Sequence, residues 1–266
     1  MKKLKILLMS IFSMTVLVFI LNLVHAESEI SLSPNYVYEL LGKYSDLSKE
    51  GFAWQLDFRK RLEEMAKLNH DCIITNDKPE SNAVYLTFDD GPDDPTTLQI
   101  INILFENGVT GNFFFTGENI KKYPDVLEKA VENGNFVTGH TFSHVNLTTL
   151  SNESIEKEIT DANNLIEEIT GRKSTCFRPP YSAVDDNVIS VSRKLNLKII
   201  LWSIDTFDWS TIESKYIIKN IEENLRPGDI IVMHSSPNRI ETVKALPEII
   251  KVVKDKGYKI ETLNNY

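Results

Sequence analysis

The chain has 266 residues, 42% of them hydrophobic and 25% charged, proportions that belong to a globular protein and exclude a disordered or low-complexity one. Its formal net charge of −9, from 29 basic and 38 acidic residues, opposes binding to a nucleic-acid backbone, which needs a basic face. Two cysteines, Cys72 and Cys176, are too few for a disulfide scaffold, so the core must hold the fold. They make either one bridge or two buried thiols, and spacing does not choose between these.

Lys2, Lys3 and Lys5 precede an uncharged run over residues 6–24, and Val24-His25-Ala26 offers a cleavage site. This reads as a secretory signal peptide over residues 1–26. A run of that length is near the ~20 residues that span a bilayer, so an uncleaved membrane anchor is the alternative. Either way the remainder is exported, as a secreted, cell-wall or cell-surface protein. Cleavage would remove three lysines and no acids, taking the net charge from −9 to −12. From residue 27 to 82, apolar residues recur every three or four positions (Val37, Leu40, Leu41, Tyr44, then Phe52, Leu56, Leu62, Met65 and Leu68), a pattern of two or three short helices. Residues 75–82 lack periodicity and read as a linker, with a domain boundary near residue 82.

Beyond it, from 83 to 266, strand and helix patterns alternate. Strand-like runs fall at 83–88, 111–116, 136–139, 174–177, 198–202, 229–233 and 259–263, and helical patterns at 95–107, 124–133, 152–170, 185–195, 212–225 and 241–256. Gly108, Gly134, Gly171 and Gly257 stand just past helix ends. Seven strands with intervening helices make an α/β domain, either a parallel barrel or an open doubly wound sheet, and both gather chemistry at the C-terminal ends of their strands.

Those ends are rich in reactive side chains. The first closes on Thr87-Phe88-Asp89-Asp90-Gly91-Pro92, where the turn lets both carboxylates approach one site. A metal on Asp90 would acidify water, and Asp89 could take its proton. A bare DDGP is more often a solvated turn, so neighbours must decide. The third strand leads into His140-Thr141-Phe142-Ser143-His144, a spacing that puts two metal-competent imidazoles on one face of a helical turn. The fourth enters Arg178-Pro179-Pro180-Tyr181, a shelf stiffened by its prolines. Arg178 could orient Asp89, and the Tyr181 amide could meet a developing oxyanion. The fifth is followed by Asp205-Thr206-Phe207-Asp208-Trp209. Trp202 reads as core, and Trp209 as a groove residue suited to a sugar face. The sixth ends in His234, placed to protonate a leaving group and raised in pKa by an acid such as Asp208.

In order, TFDDGP, HTFSH, RPPY, DTFDW and VMH resemble the five motifs of the polysaccharide deacetylases, the NodB-like group of the family-four carbohydrate esterases. The resemblance covers residues 83–263, and Phe113-Phe114-Phe115-Thr116-Gly117 is similar to the second strand of that family. It implies a distorted (β/α)7 barrel, here behind a short helical N-terminal extension, and a divalent metal, zinc before cobalt, held by Asp90, His140 and His144. It also implies Asp89 as base oriented by Arg178, His234 as acid tuned by Asp208, the Tyr181 amide at the oxyanion, and a groove walled by Trp209, Pro180 and Tyr181. The reaction implied is hydrolysis of the N-acetyl group of N-acetylglucosamine in peptidoglycan or chitin-like glycans, by a monomer. Ser182, Val232 and Ser235 depart from the usual Gly, Leu and Asp; none removes a ligand or proton carrier. Two other readings are an O-acetyl xylan esterase and an inactive glycan-binding module.

Overall fold

In the computed structural model, which describes residues 36–211, 213–264 and 266, nine parallel-paired strands build a half-barrel flanked by helices. The expected signal peptide or anchor at residues 1–26 lies outside the described residues, among which no helix is long and apolar enough to cross a membrane. In chain order the elements are α1 (Lys49–Leu68), β1 (Ile73–Ile74), β2 (Ala83–Asp89), α2 (Thr96–Glu106), β3 (Asn112–Phe115), α3 (Gly117–Lys122), α4 (Pro124–Glu132), β4 (Phe136–Gly139) and α5 (Asn152–Thr170). After them come β5 (Cys176–Phe177), α6 (Asp186–Leu195), β6 (Lys198–Ile200), β7 (Ile204–Asp205), α7 (Ser214–Glu222), β8 (Ile230–His234), α8 (Ile240–Asp255) and β9 (Lys259–Ile260). The strand order is β1-β6-β5-β4-β3-β2-β8-β7, with β9 pairing beside β2.

Period-two alternation sorts the side chains of β2. Val84, Leu86 and Phe88 join an outer core with Ile100 and Leu104 of α2 and Leu246 and Ile249 of α8. Ala83 and Tyr85 belong to an inner core with Phe114, Ile199 and Ile230. Thr87 and Asp89 continue the inner row, so Asp89 ends it at the C-terminal mouth. The parallel register pairs Asp89 with His234 on β8 and with Phe114 on β3. Both cysteines are free and buried.

Helix ends follow local chemistry. Ser151 caps α5 through its side chain, and Asp185 does the same for α6. All four glycines expected past helix ends have φ between 64° and 82°.

The N-terminal extension differs from the reading of two or three short helices. Among the described residues, Ser48 caps a single 20-residue helix, α1, whereas the apolar residues from Val37 to Tyr44 run extended. Leu41 bridges Ile204 as an added edge: its N–H donates to Ser203 O at 2.8 Å, and its carbonyl accepts from Asp205 N at 2.9 Å. A free β-edge thus overrode a helical periodicity. Residues 75–82 are tied down rather than loose, since Asp77 N donates to Gly228 O and the Tyr85 hydroxyl donates to Asp77. Val37–Tyr266 form one compact unit. The expected strand at 198–202 is shortened to β6, which pairs with β1 and β5; Trp202 and Ser203 then turn the chain into β7, a strand not expected from the sequence, which pairs with β8.

Candidate active site

The mouths of β2, β4, β5, β7 and β8 open into one cavity of about 430 Å³, the place where parallel α/β sheets put their chemistry. Asp89 reaches it at the end of its strand. Arg178, fully buried, donates from Nη1 to Asp89 Oδ1 at 2.7 Å and to Thr87 Oγ1 at 2.8 Å. Its Nε and Nη2 donate to the carbonyls of Ile200 (3.0 Å) and Leu201 (2.8 Å), and its guanidinium lies 4.0 Å from the centroid of the Phe114 ring. A buried ion pair survives only with such complete hydrogen bonding. The result is an oriented carboxylate on the cavity wall, equipped to accept a proton.

Asp90 follows in the left-handed region, at φ 74°. That reversal, which the strand period forbids, turns both neighbouring acids into the same cavity. Asn119 Nδ2 donates to the Asp90 carbonyl at 2.8 Å and holds the turn. His140 and His144 join it, though not on a helical turn as their spacing suggested. They sit in a loop where Thr141 and His144 take φ 65° and 57°. Glu158 of α5 pins that loop, accepting from the N–H groups of Phe142 and Ser143 and from the Ser143 hydroxyl.

The ligating atoms of Asp90, His140 and His144 lie within 4.8 Å of one another. His140 Nδ1 is 2.7 Å from the Arg178 carbonyl; it must donate there, which leaves the Nε2 lone pair for the site. Burial would raise the Asp90 pKa, but the imidazoles of His140 and His144 beside it outweigh burial and hold the carboxyl well below the usual carboxylate range. Two imidazoles and one carboxylate, with the His140 ring already oriented by the Arg178 carbonyl, fit a divalent cation of the zinc type with positions left open.

His234 forms the other wall. Its backbone N–H donates to Asp208 Oδ2, and its Nδ1 lies 2.7 Å from Oδ1. Thr242 Oγ1 also donates to Oδ2 at 2.7 Å. Burial opposes charge on His234, but the Asp208 charge and hydrogen bond prevail and push its pKa up to about 10. Asp208, though buried, is held below its ordinary range by the same partner. With Nδ1 committed to Asp208, the proton on Nε2 is the one available to a substrate.

The aromatic predictions divide. Trp209 lines the cavity, steered by Nε1 donation to Asp205 Oδ1 at 3.3 Å. Tyr181 lines it too, 64% exposed at φ 60°. Pro180 does not: it is buried beneath the turn, and Pro179 takes the wall position. Trp202 is buried as core but also faces the cavity, its Nε1 donating to Ser182 Oγ at 3.0 Å. Of the unusual residues, Ser182 and Val232 line the cavity, while Ser235 hydrogen-bonds through N and Oγ to the Asp89 carbonyl.

Sequence reasoning missed the part played by α1. Trp54, Gln55 and Phe58 line the same cavity, and Arg59, buried, sits 3.5 Å from Asp205 Oδ2 while donating to the Gly42 carbonyl at 2.7 Å. Arg239 of the segment after β8 also lines the cavity. The signal for Trp54 was an aromatic residue off the apolar stripe of its helix; Arg59 left none, because its partner is 146 positions away.

An Asp-His-His cluster, a braced carboxylate and a charged histidine at the mouth of a parallel half-barrel define a hydrolytic α/β enzyme site. The sequence model of the polysaccharide deacetylases matches residues 76–200. A peptidoglycan N-acetylglucosamine deacetylase of Bacillus cereus is 34% identical over 182 residues, 68% of this chain and 66% of that one. A chitooligosaccharide deacetylase of Azorhizobium caulinodans is 31% identical over 212 residues, 75% of this chain and all of that one. A solved peptidoglycan N-acetylglucosamine deacetylase superposes with a TM-score of 0.71 at 30% identity, over 73% of this chain and 92% of that one. The chain belongs to the polysaccharide deacetylase family, hydrolases of the amide bonds of N-acetylated glycans, and its half-barrel is the distorted (β/α)7 barrel of those neighbours.

Proposed function

We propose that the chain is an exported, metal-dependent deacetylase that hydrolyses the N-acetyl group of N-acetylglucosamine units in peptidoglycan or chitin-like glycans. The observation that carries this is the convergence, in one cavity, of the Asp90-His140-His144 cluster with Asp89 and His234. Export is supported by the lysine-led apolar run at residues 6–24. The cluster would hold a divalent ion, with zinc the best match to its donors, and such an ion supplies Lewis acidity to an acyl oxygen and to water.

The chain's own residues then have distinct tasks. Asp89, oriented by Arg178, takes a proton from the attacking water. The Tyr181 amide donates to the oxyanion that develops on the acetyl carbon's oxygen. His234, held protonated by Asp208, delivers its proton to the amide nitrogen as the C–N bond breaks, releasing acetate and leaving a free amine. Trp209 and Tyr181 flank the sugar.

Metal analysis combined with acetate release from peptidoglycan, chito-oligosaccharides and acetylated xylan tests the reading. Activity confined to xylan would replace it with the O-acetyl esterase reading. Asp89→Asn should retain metal and lose nearly all turnover, whereas His140→Ala should lose the metal. Full turnover by Asp89→Asn would overturn the assigned base. An inactive glycan-binding module is disfavoured because binding alone has no use for an oriented carboxylate beside a charged histidine.

A further inference from the structure

We propose that Trp54, stacked on Phe58 of α1, forms an additional sugar-stacking subsite that takes a pyranose ring of the glycan chain neighbouring the one that reacts. The proposal rests on the deacetylase reading for the identity of its occupant, and on geometry for its existence.

Trp54 is 56% exposed, an indole left largely in water on a helix that elsewhere buries Leu62 and Ala66. Its position is not incidental, because it lines the same cavity as Asp89, His144 and His234. Phe58, one turn on, lies beneath it, with ring centroids 5.2 Å apart and planes 7° from parallel. Phe58 in turn packs against the inner core, so the indole rests on a rigid base.

The helix is fixed in turn. Arg59 enters the interior, faces Asp205 and donates to the Gly42 carbonyl. Gly42, at φ 127°, leaves no room for a Cβ, which would meet the Asp205 carbonyl oxygen at 2.2 Å. Asp205 also accepts from Trp209 Nε1, so one carboxylate ties the helix carrying Trp54 to the loop carrying Trp209.

The chemistry of this wall selects its ligand. Trp54, Gln55 and Phe58 offer an uncharged face to the cavity. A flat aromatic surface with an amide beside it suits the C–H face and the hydroxyl or acetamido groups of a neutral sugar. Trp54 lies outside residues 76–200 and outside every motif at the strand ends. The subsite is therefore a feature of this chain's N-terminal extension, and it would make the enzyme prefer chains over short fragments.

The test compares the unaltered chain with Trp54→Ala and Trp54→Phe on N-acetylglucosamine, which has no neighbouring ring, and on the acetylated chito-oligosaccharide hexamer. KM is read from acetate release and binding from titration calorimetry. Trp54→Ala should cut the hexamer-over-monomer preference by about tenfold, the scale of one lost stacking contact, and Trp54→Phe should restore most of it. A preference ratio unchanged in Trp54→Ala overturns the subsite, even where acetate release upholds the deacetylase reading. An equal loss on monomer and hexamer overturns it as well, because a purely structural role acts on both. If the hexamer preference in calorimetry depends on Trp54 but no acetate appears, the subsite stands and the deacetylase reading falls.

Discussion

Arg178 shows why a single residue can be both structural and functional. It is buried with all three of its guanidinium nitrogens hydrogen-bonded, and its partner Asp89 is buried with it. Arg178→Leu would leave the Asp89 carboxylate uncompensated, at a cost of about 3–5 kcal/mol, read as a lowered urea midpoint. The His234–Asp208 pair makes a prediction in pH. His234 has a folded-state pKa of about 10 against an ordinary 6.5, so its stabilisation is complete below 6.5 and is lost as pH rises through 10. Asp208 is held below its ordinary 3.8, so its contribution is present above 3.8 and fails only in stronger acid. Asp208→Asn should therefore lower the thermal midpoint most between those limits, near pH 5 to 6 on the scale of these ordinary values. The difference from wild type should shrink toward pH 10. A difference independent of pH would refute the coupling.

Among the elements, strands proved more legible than the loops that follow them. The apolar runs of β2, β4 and β8 located the strand ends closely, and α5 spans the 152–170 stretch its pattern marked. The His140–His144 loop was misread as helical because HxxxH fits a helical turn, while the left-handed residues and the Glu158 brace that shape it are not visible as a period. The extension was hardest. Extended residues around Leu41 and the two-residue β1 exist only because β7 and β6 offer edges to pair with. Arg59 anchors α1 there, beside a burial-raised Asp205. Arg59→Met keeps its bulk but strands that acid, and should destabilise the fold by roughly 3 kcal/mol. The same variant should raise KM for long glycans through displaced Trp54 and Trp209, both measurable on one preparation by urea titration and initial rates.

At the scale of the molecule, charge and metal are connected. The acidic excess is partly the site itself, since Asp89, Asp90, Asp205 and Asp208 crowd the mouth of the barrel, where Arg178, Arg59 and the charged His234 answer three of them directly. A divalent ion on the cluster would offset part of that charge and stabilise the native state by mass action. Chelation should therefore lower the thermal midpoint, with recovery on adding zinc, and the His140→Ala protein should show no such response. A midpoint indifferent to chelator in the unaltered chain would refute a resident metal. The net acidity also leaves neutral groove contacts, rather than attraction to an anionic wall, as the source of affinity.

Local sequence is enough to mark the alternation of strand and helix, the strand ends where chemistry gathers, and Asp89, Asp90, His140, His144, Arg178 and His234 as the reactive side chains that stand at or just past those ends. These are local properties: a period of two or 3.6, a turn residue, a reactive side chain at a strand end. Tertiary structure alone decided that the extension completes the sheet edges, that Arg59 meets Asp205, that Pro179 rather than Pro180 faces the cavity, and that Trp54 joins it. Each of these depends on which distant surfaces are left unpaired once the barrel has closed, and no local period records that.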